Sequence, residues 1–207
     1  RNHFCRDLGF PRSTRESIAC IATGVTRRVD VGSVNGKIFI NNSSVGAYPH
    51  AVEEREGLRE RFGLRKHVAG VIATLRTFAR RPVIDAEIEI DGRQFPRSSP
   101  FVFVGNNTYS VKLFAVQLRS SLREGKICVY TARCNGVSGF LYLLWLSLWN
   151  KLDQSRDFEM RCGSEVTIRL RKEMVRVSKD GEVLRMETPL RYKVHPGALE
   201  VFAKEQE

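Results

Sequence analysis

The sequence lacks the cysteine and histidine patterns that hold metals or build disulfide scaffolds. Its five cysteines are an odd number with no CxxC pair, and its four histidines form neither an HxxxH nor an HExxH pair. Zinc ribbons and small disulfide-rich folds are therefore not expected, and a histidine-based metal site has little support. A reducing, cytosolic compartment is the default for such cysteine usage.

The sequence also lacks an apolar run long enough to cross a bilayer. The longest run, FLYLLWLSLW at 140–149, has ten residues, whereas a transmembrane helix needs about 20. Its position well inside the chain is not that of a signal peptide. A buried helix is the favoured interpretation. Shallow membrane contact is the alternative, because Trp145 and Trp149 are four residues apart and indole rings favour the membrane interface.

Acidic residues are fewer than basic ones. The chain has 34 Lys and Arg against 23 Asp and Glu, a net charge of +11. This excess indicates an anionic partner, such as a phosphate-bearing small molecule, an anionic lipid headgroup or nucleic acid. The basic residues are dispersed, and neither an RNP-like aromatic motif nor a helix-turn-helix pattern accompanies them, so dedicated nucleic-acid recognition is not expected.

The first residues of the chain are typical of the end of a helix, with Gly9 as its C-cap. Ser13 or Thr14 can then cap a second short helix that runs through Ala22 and is closed by Gly24. This start predicts that preceding structure has been removed.

Most of the remaining chain has strand-like patterns. Asn35-Gly36, Asp91-Gly92 and Asp180-Gly181 each stand between such runs, and these pairs tolerate the positive φ of a type I′ hairpin turn. Apolar spacing predicts an amphipathic helix over 66–80. Eight or more short strands with two or three helices predict an α+β fold, built around a mostly antiparallel β-sandwich. Residues 25–207 form one domain in this interpretation.

The stretch VSKDGEVLRME at 177–187 has an acidic turn between its two strand-like halves. Its spacing alone favours an ordinary hairpin turn that happens to be acidic. An acidic site presented on a hairpin is the alternative.

Four stretches of the sequence, in collinear order, resemble the diacylglycerol kinase catalytic-like superfamily. That superfamily includes bacterial lipid kinases and the diacylglycerol, ceramide and sphingosine kinases. RNHFCRDLG at 1–9 is similar to the end of the family's GTxNxxAxxLG segment, with Cys5 where Ala is usual. FINNSSVG at 39–46 resembles its F.N..s.G strand and loop. FVGNN at 103–107 and VSKDGE at 177–182 resemble its later strands and its DGE signature.

The resemblance implies a two-domain enzyme. Its N-terminal α/β domain would hold the ATP phosphates in a GGDGT-type loop, and its C-terminal β-sandwich would add the DGE residues across a cleft. Residues 1–24 would then be a helical remnant of the ATP-binding domain, and 25–207 the C-terminal lipid-kinase domain. No GGDG sequence occurs in this chain, so the isolated chain is expected to be inactive.

The reaction implied by the resemblance is transfer of the ATP γ-phosphoryl group to a lipid hydroxyl, with Mg²⁺. Glu182 would be the catalytic carboxylate, as proton acceptor or through Mg²⁺, and Asp180 would support it. Asn2 belongs to the segment that contacts nucleotide. A short polar run could line the cleft near the substrate, or merely end the strand and cap the next helix. The run consists of Asn41, Asn42, Ser43 and Ser44.

Bacterial members of the superfamily hold a second, structural Mg²⁺ at a DG-x-LDV-type segment, and the matching stretch here is 121–129. Glu124 stands where the family has Asp, and Lys126 adds a positive charge beside it. The ligands implied are Ser121, Glu124 and the backbone oxygen of Lys126. Because Mg²⁺ requires oxygen ligands in tight octahedral geometry, Glu124 as a plain exposed turn residue is equally well supported.

The leading hypothesis is the C-terminal domain of an ATP-dependent lipid kinase acting on a diacylglycerol-like lipid. The alternative is a non-catalytic module whose basic surface and Trp-bearing helix dock on anionic membranes. A third hypothesis, a relative of NAD kinases, has no nicotinamide-binding feature to support it. A cytoplasmic protein at the inner face of the membrane is expected, compatible with a homodimer. The acceptor lipid is not specified by these motifs.

Overall fold

The computed structural model describes residues 3–11, 13–22, 24–62, 65–80, 83–112, 115–119, 121–134, 136–149, 151 and 155–203. Asn2, the expected nucleotide contact, lies outside the described residues. The helices are α1 (His3–Asp7), α2 (Thr14–Ala22), α3 (Ala47–Phe62), α4 (Lys66–Ala79) and α5 (Gly136–Leu148). The strands are β1 (Thr26–Val34), β2 (Lys37–Phe39), β3 (Asn42–Gly46), β4 (Ile84–Ile90), β5 (Arg93–Ser99), β6 (Phe101–Asn106), β7 (Tyr109–Lys112), β8 (Ala115–Arg119), β9 (Ile127–Ala132), β10 (Phe158–Gly163), β11 (Glu165–Leu170), β12 (Met174–Lys179), β13 (Glu182–Glu187) and β14 (Leu190–Phe202).

Two six-stranded antiparallel sheets form the body of the molecule. The first has the order β2-β1-β14-β11-β4-β5 and the second β10-β9-β6-β3-β12-β13, with β7 and β8 as a separate ribbon. One apolar cluster lies between them, since alternate residues of strands such as β4 point inward. It includes Val34, Phe39, Ile88, Ile168 and Tyr192 from the first sheet and Val45, Val102, Val104, Val129 and Val177 from the second. The α+β sandwich predicted from the sequence is confirmed.

The three predicted hairpin turns are also confirmed. Both residues of each turn have positive φ: 46° and 77° at Asn35-Gly36, 46° and 81° at Asp91-Gly92, and 49° and 93° at Asp180-Gly181. The third turn connects β12 to β13, with Lys179 opposite Glu182 in the ladder. The amphipathic helix predicted over 66–80 is α4.

Helices cover the outer face of the second sheet. Leu143 and Leu146 of α5 pack against Ala132 at the end of β9. Phe78 of α4 stacks on Phe140 of α5, with 4.1 Å between the ring centroids. Every residue of β9 is consequently buried, because the other sheet lies on one face and this helical layer, with its aromatic neighbours, lies on the other.

The N-terminal segment packs on the sandwich through a second, smaller cluster. Leu8, which follows α1, is buried with Val29 of β1, Leu122 and Ala203. Part of the segment that the sequence analysis assigned to a remnant of another domain is thus in contact with the sandwich. In α2 no described residue is buried.

Cys128 and Cys162 form a disulfide, which the spacing of the cysteines did not indicate. The two residues are direct partners in the β9–β10 ladder, so the pairing follows from strand register, which spacing along the chain cannot show. A single bond of this kind is not a disulfide scaffold. Cys5, Cys20 and Cys134 are not disulfide-bonded. Burial, aided by the charge of Asp157, raises the pKa of the Cys134 thiol to about 11.

Candidate active site

The expected site residues of two different motifs meet at one end of the sandwich. We call residues 40–42 the asparagine loop and the β12–β13 turn, residues 179–182, the acidic hairpin. The Asp180 carboxylate accepts hydrogen bonds from the backbone N–H groups of Ile40 and Asn41, both at 2.8 Å, and of Asn42 at 3.2 Å. The Asp180 N–H donates to the Asn42 carbonyl at 2.9 Å. One aspartate therefore joins the two motifs.

Backbone geometry explains why Asp180 can make these bonds. Its φ of 49° lies in the left-handed region, which few residues other than Gly, Asn and Asp adopt readily. The pairing of β12 with β3 sets Lys179 opposite Ser43, so the turn lies beside the residues that precede β3. A short carboxylate then reaches the backbone of the asparagine loop.

Glu182 is the first residue of β13, directly after Gly181, and its side chain is exposed. Within the described part of the chain, the Glu182 carboxylate has no hydrogen-bond or ion-pair partner. An exposed carboxylate at the end of a hairpin can accept a proton from a bound hydroxyl or bind a metal ion that arrives with a ligand.

Asn106, at the end of β6, supports the asparagine loop from inside the protein. Its side-chain amide is fully buried and donates to the carbonyls of Ile40, at 2.9 Å, and Asp30, at 2.8 Å. The Asn106 N–H and the Tyr109 hydroxyl both donate to the Asn41 carbonyl, at 3.0 and 2.8 Å. The sequence analysis placed Asn106 in the FVGNN stretch, which resembles a later strand of the superfamily, but did not assign it to the site. The FVGNN motif was the available signal.

The two serines of the polar run face opposite sides of the second sheet. The Ser43 hydroxyl lies 3.2 Å from the Tyr192 hydroxyl inside the sandwich, and burial raises the pKa of Tyr192, which the Ser43 hydrogen bond partly offsets. Ser44 pairs with Ser178 across the β3–β12 ladder, on the outer face. Both of their hydroxyls are buried without a hydrogen-bond partner among the described residues. Buried hydroxyls of this kind are rare and call for an additional bonding group.

Asp30 of β1 forms a hydrogen bond to the segment that is expected to hold a second Mg²⁺. The buried Asp30 carboxylate accepts the N–H groups of Gly125 and Gly197, each at 2.8 Å. The Glu124 carboxylate accepts the Thr108 hydroxyl at 2.5 Å.

The other two expected ligands are also engaged. The Ser121 hydroxyl accepts the Arg123 N–H at 3.1 Å, and the Lys126 carbonyl accepts the Asn107 N–H at 2.8 Å. Among the residues that the structure describes, no group of three or more His, Cys, Asp or Glu side chains could hold a metal ion. Each expected ligand thus has a hydrogen bond within the protein, and Mg²⁺ binding by these three oxygen groups stays a prediction.

A cavity of about 510 Å³ lies at the opposite end of β3 and β12. Cationic side chains, including Arg171, Arg176 and Arg185, line it together with Asp85. Arg176 is paired with Glu53 at 3.0 Å and Arg171 with Asp85 at 3.4 Å. The residues of the candidate active site do not line this cavity.

No protein-family model matches the sequence. Solved structures do share its fold. A provisionally named diacylglycerol kinase from Bacillus anthracis str. Sterne superimposes with a TM-score of 0.70 at 20% identity, over 98% of this chain and 66% of that one. A diacylglycerol kinase from the same organism gives 0.66 at 18% identity, over 98% of this chain and 63% of that one. A third structure, also provisionally named a diacylglycerol kinase and from the same organism, gives 0.69 at 20% identity.

The fold implied by the four resembling stretches is thereby confirmed. The likeness extends over 98% of the chain in all three comparisons. The chain spans 63 to 66% of the length of these structures.

Proposed function

We propose that this chain forms the acceptor side of the active site of an ATP-dependent lipid kinase, which transfers the γ-phosphoryl group to the hydroxyl of a diacylglycerol-like lipid. The observation that carries the proposal is the joint made by Asp180. Its carboxylate holds the asparagine loop against the acidic hairpin, and Glu182 stands exposed directly beside that joint.

The proposed catalytic role of each side chain rests on its position and its hydrogen bonds. Glu182 accepts the proton of the lipid hydroxyl, or acts through the Mg²⁺ that accompanies the nucleotide. Asp180 is a positioning residue, because its oxygens are already occupied by backbone N–H groups. Asn41 and Asn42 form the part of the cleft nearest the substrate.

The two serines of the polar run have different proposed roles. Ser44 remains a proposed residue of the cleft, although its hydroxyl and that of Ser178, which lies opposite it in the ladder, are buried. Ser43 is bonded to Tyr192 and would hold β3 in place.

The proposed cofactors are ATP and Mg²⁺, and Mg²⁺ would neutralise the charge of the transferred phosphate. Because the chain has no GGDG-type loop, we propose that residues beyond this chain bind most of the nucleotide. Asn2 remains the proposed nucleotide contact within it. The chain alone should not phosphorylate a lipid.

The test is transfer of labelled phosphate from ATP to diacylglycerol by the complete polypeptide. Glu182→Gln should lower kcat by about 10²- to 10⁴-fold, the usual contribution of general base catalysis. Glu187→Gln is the matched control, because Glu187 is an exposed glutamate at the other end of the same strand, and it should leave kcat unchanged. Retention of more than about a tenth of the activity by Glu182→Gln, well short of that loss, would refute the proposed role, as would lipid phosphorylation by the 207-residue chain alone.

The second candidate is a non-catalytic module for an anionic membrane surface, which the net charge of +11 and the exposed tryptophans favour. It predicts membrane binding but no dependence of any measured property on Glu182.

A further inference from the structure

The helix α5 exposes large apolar side chains on one face. Leu141, Tyr142, Trp145 and Trp149 are 47, 49, 53 and 64% exposed, and we call these four residues the tryptophan face. Residues 141, 145 and 149 follow each other at a spacing of four, so they lie along one side of the helix. The opposite side, with Phe140, Leu143 and Leu146, is buried in the protein.

The tryptophan face is a continuous surface. The rings of Trp145 and Trp149 lie 6.4 Å apart between centroids, and Trp149 continues the helix through a hydrogen bond from its N–H to the Trp145 carbonyl. Single exposed apolar residues are ordinary, but adjoining large ones mark an interaction surface. Indole and phenol rings also carry a polar group, which suits a boundary between an apolar phase and water.

Exposed basic residues flank this surface along the chain. The segments 64–84 and 125–152, which include α4 and α5, contain no Asp or Glu, although the chain has 23 acidic residues. Arg133 precedes α5, Lys151 follows it, and both are exposed. Arg80, at the end of the neighbouring α4, is exposed as well. Asp157 lies near the start of α5, beside Cys134.

The charges decide between two kinds of partner. A second copy of the chain docked face to face would bring two sets of cations together, which is unfavourable. An anionic bilayer supplies the opposite charge at the headgroups and an apolar phase directly below them.

We propose that the tryptophan face docks this chain on an anionic membrane, with α5 lying in the plane of the headgroups. With 13 residues, α5 is about 20 Å long, whereas the hydrocarbon core of a bilayer is about 30 Å thick. No helix in the described part of the chain is long and apolar enough to span a membrane. Docking in the interface is thus the geometry open to α5.

The docking surface is separate from the candidate active site. Phe101, at the start of β6, packs with the residues under α5. Asn106, at the end of β6, supports the asparagine loop. The strand between them spans about 17 Å. The proposal therefore does not depend on kinase activity, and Glu182→Gln should leave docking intact.

The chain carries its own reporter for the test. It contains two tryptophans, and both belong to the tryptophan face. We expect their emission to shift to the blue when vesicles of phosphatidylcholine and phosphatidylglycerol are added, and to be quenched by bromine atoms on the acyl chains. Vesicles of phosphatidylcholine alone, or a higher salt concentration, should give weaker binding.

Co-sedimentation with the same vesicles tests the variants. Trp145→Ser/Trp149→Ser should bind about tenfold more weakly or worse, because two inserted rings are lost. Ile38→Ala/Phe202→Ala is the matched control, since these residues are 48 and 43% exposed on strands of the first sheet, and it should bind like the unaltered chain. Thermal melting of each variant checks its folding.

Three results would overturn the proposal. The first is unchanged tryptophan emission of the unaltered chain with anionic vesicles. The second is vesicle binding that does not depend on Trp145 and Trp149. The third is a concentration-dependent dimer, seen by sedimentation, that shifts the tryptophan emission without lipid, which would assign the face to a second copy.

Discussion

Replacement of Asp180 by Asn tests whether the joint between the two motifs positions the site. Asn tolerates the φ of 49° at this position and keeps one acceptor oxygen, but it loses the charge and the second acceptor. The present carboxylate receives three backbone N–H groups at 2.8, 2.8 and 3.2 Å. Hydrogen bonds to a charged group contribute about 1.5–3 kcal/mol. Since the three hydrogen bonds are exposed and the remaining amide oxygen of Asn keeps some of them, we expect a loss of about 1 kcal/mol in the free energy of unfolding.

The same substitution should lower activity by more than its effect on stability. The asparagine loop would no longer be held against the acidic hairpin, and a displacement of about 1 Å in a reacting site can cost about 100-fold in rate. We therefore expect kcat/KM of the complete polypeptide for lipid to fall about 10- to 100-fold for Asp180→Asn.

The chain provides a matched control at Asp91. This residue also precedes glycine in a hairpin turn, with φ of 46°. One oxygen of its carboxylate accepts the N–H groups of Ser164 and Glu165 at 3.1 and 3.0 Å, but in the first sheet, away from the asparagine loop. Asp91→Asn should cost a similar free energy of unfolding, about 1 kcal/mol, and leave kcat/KM unchanged.

Urea unfolding and kinase assays on the two variants give the four values needed. If both variants lose stability equally and both keep full activity, Asp180 has no positioning role. If Asp180→Asn unfolds at the same urea concentration as the unaltered protein, the three hydrogen bonds do not contribute as argued.

Two further predictions concern stability. The N–H of Glu165 and the groups of Ser164 hold the pKa of Asp91 below its ordinary value. Arg97 and Arg161 do the same for the pKa of Glu159. A carboxylate with a lowered pKa stabilises the fold at a pH above its pKa in the unfolded chain, and this stability is lost as the pH falls through its pKa in the folded protein. Urea unfolding should thus show stability declining below about pH 4, less steeply in Asp91→Asn, and identical curves would contradict this. Cys128→Ala/Cys162→Ala should lower the free energy of unfolding by about 4 kcal/mol, since the bond closes a loop with a sequence separation of 34. Cys20→Ala is the control, and thermal melting that is unaffected by reductant would count against the bond.

Features that depend on neighbouring residues in the chain could be predicted from the sequence. The Asn-Gly and Asp-Gly turns, the helix α4 and the sandwich itself follow from local conformational preference and apolar spacing. The position of Glu182 directly after a tight turn could be inferred for the same reason.

Features that depend on register between distant strands could not be predicted. The bonds of Asp180 to the asparagine loop exist because β12 pairs with β3 in one register, and a shift of one residue would turn them away. The same argument separates Ser43, which faces the core, from Ser44, which faces the helices. The role of the buried Asp30 was missed because its two glycine partners are 95 and 167 residues away from it in the sequence.

The pairing of Cys128 with Cys162 has a consequence for self-association. The strand β10 is at the edge of its sheet, and β9 behind it is buried along its whole length. An apolar strand that loses its neighbour presents unpaired backbone groups to other molecules and acts as a template for aggregation. The disulfide fastens the protecting strand to the strand it covers. The redox potential of the surroundings therefore sets how readily this edge can open to intermolecular β-pairing.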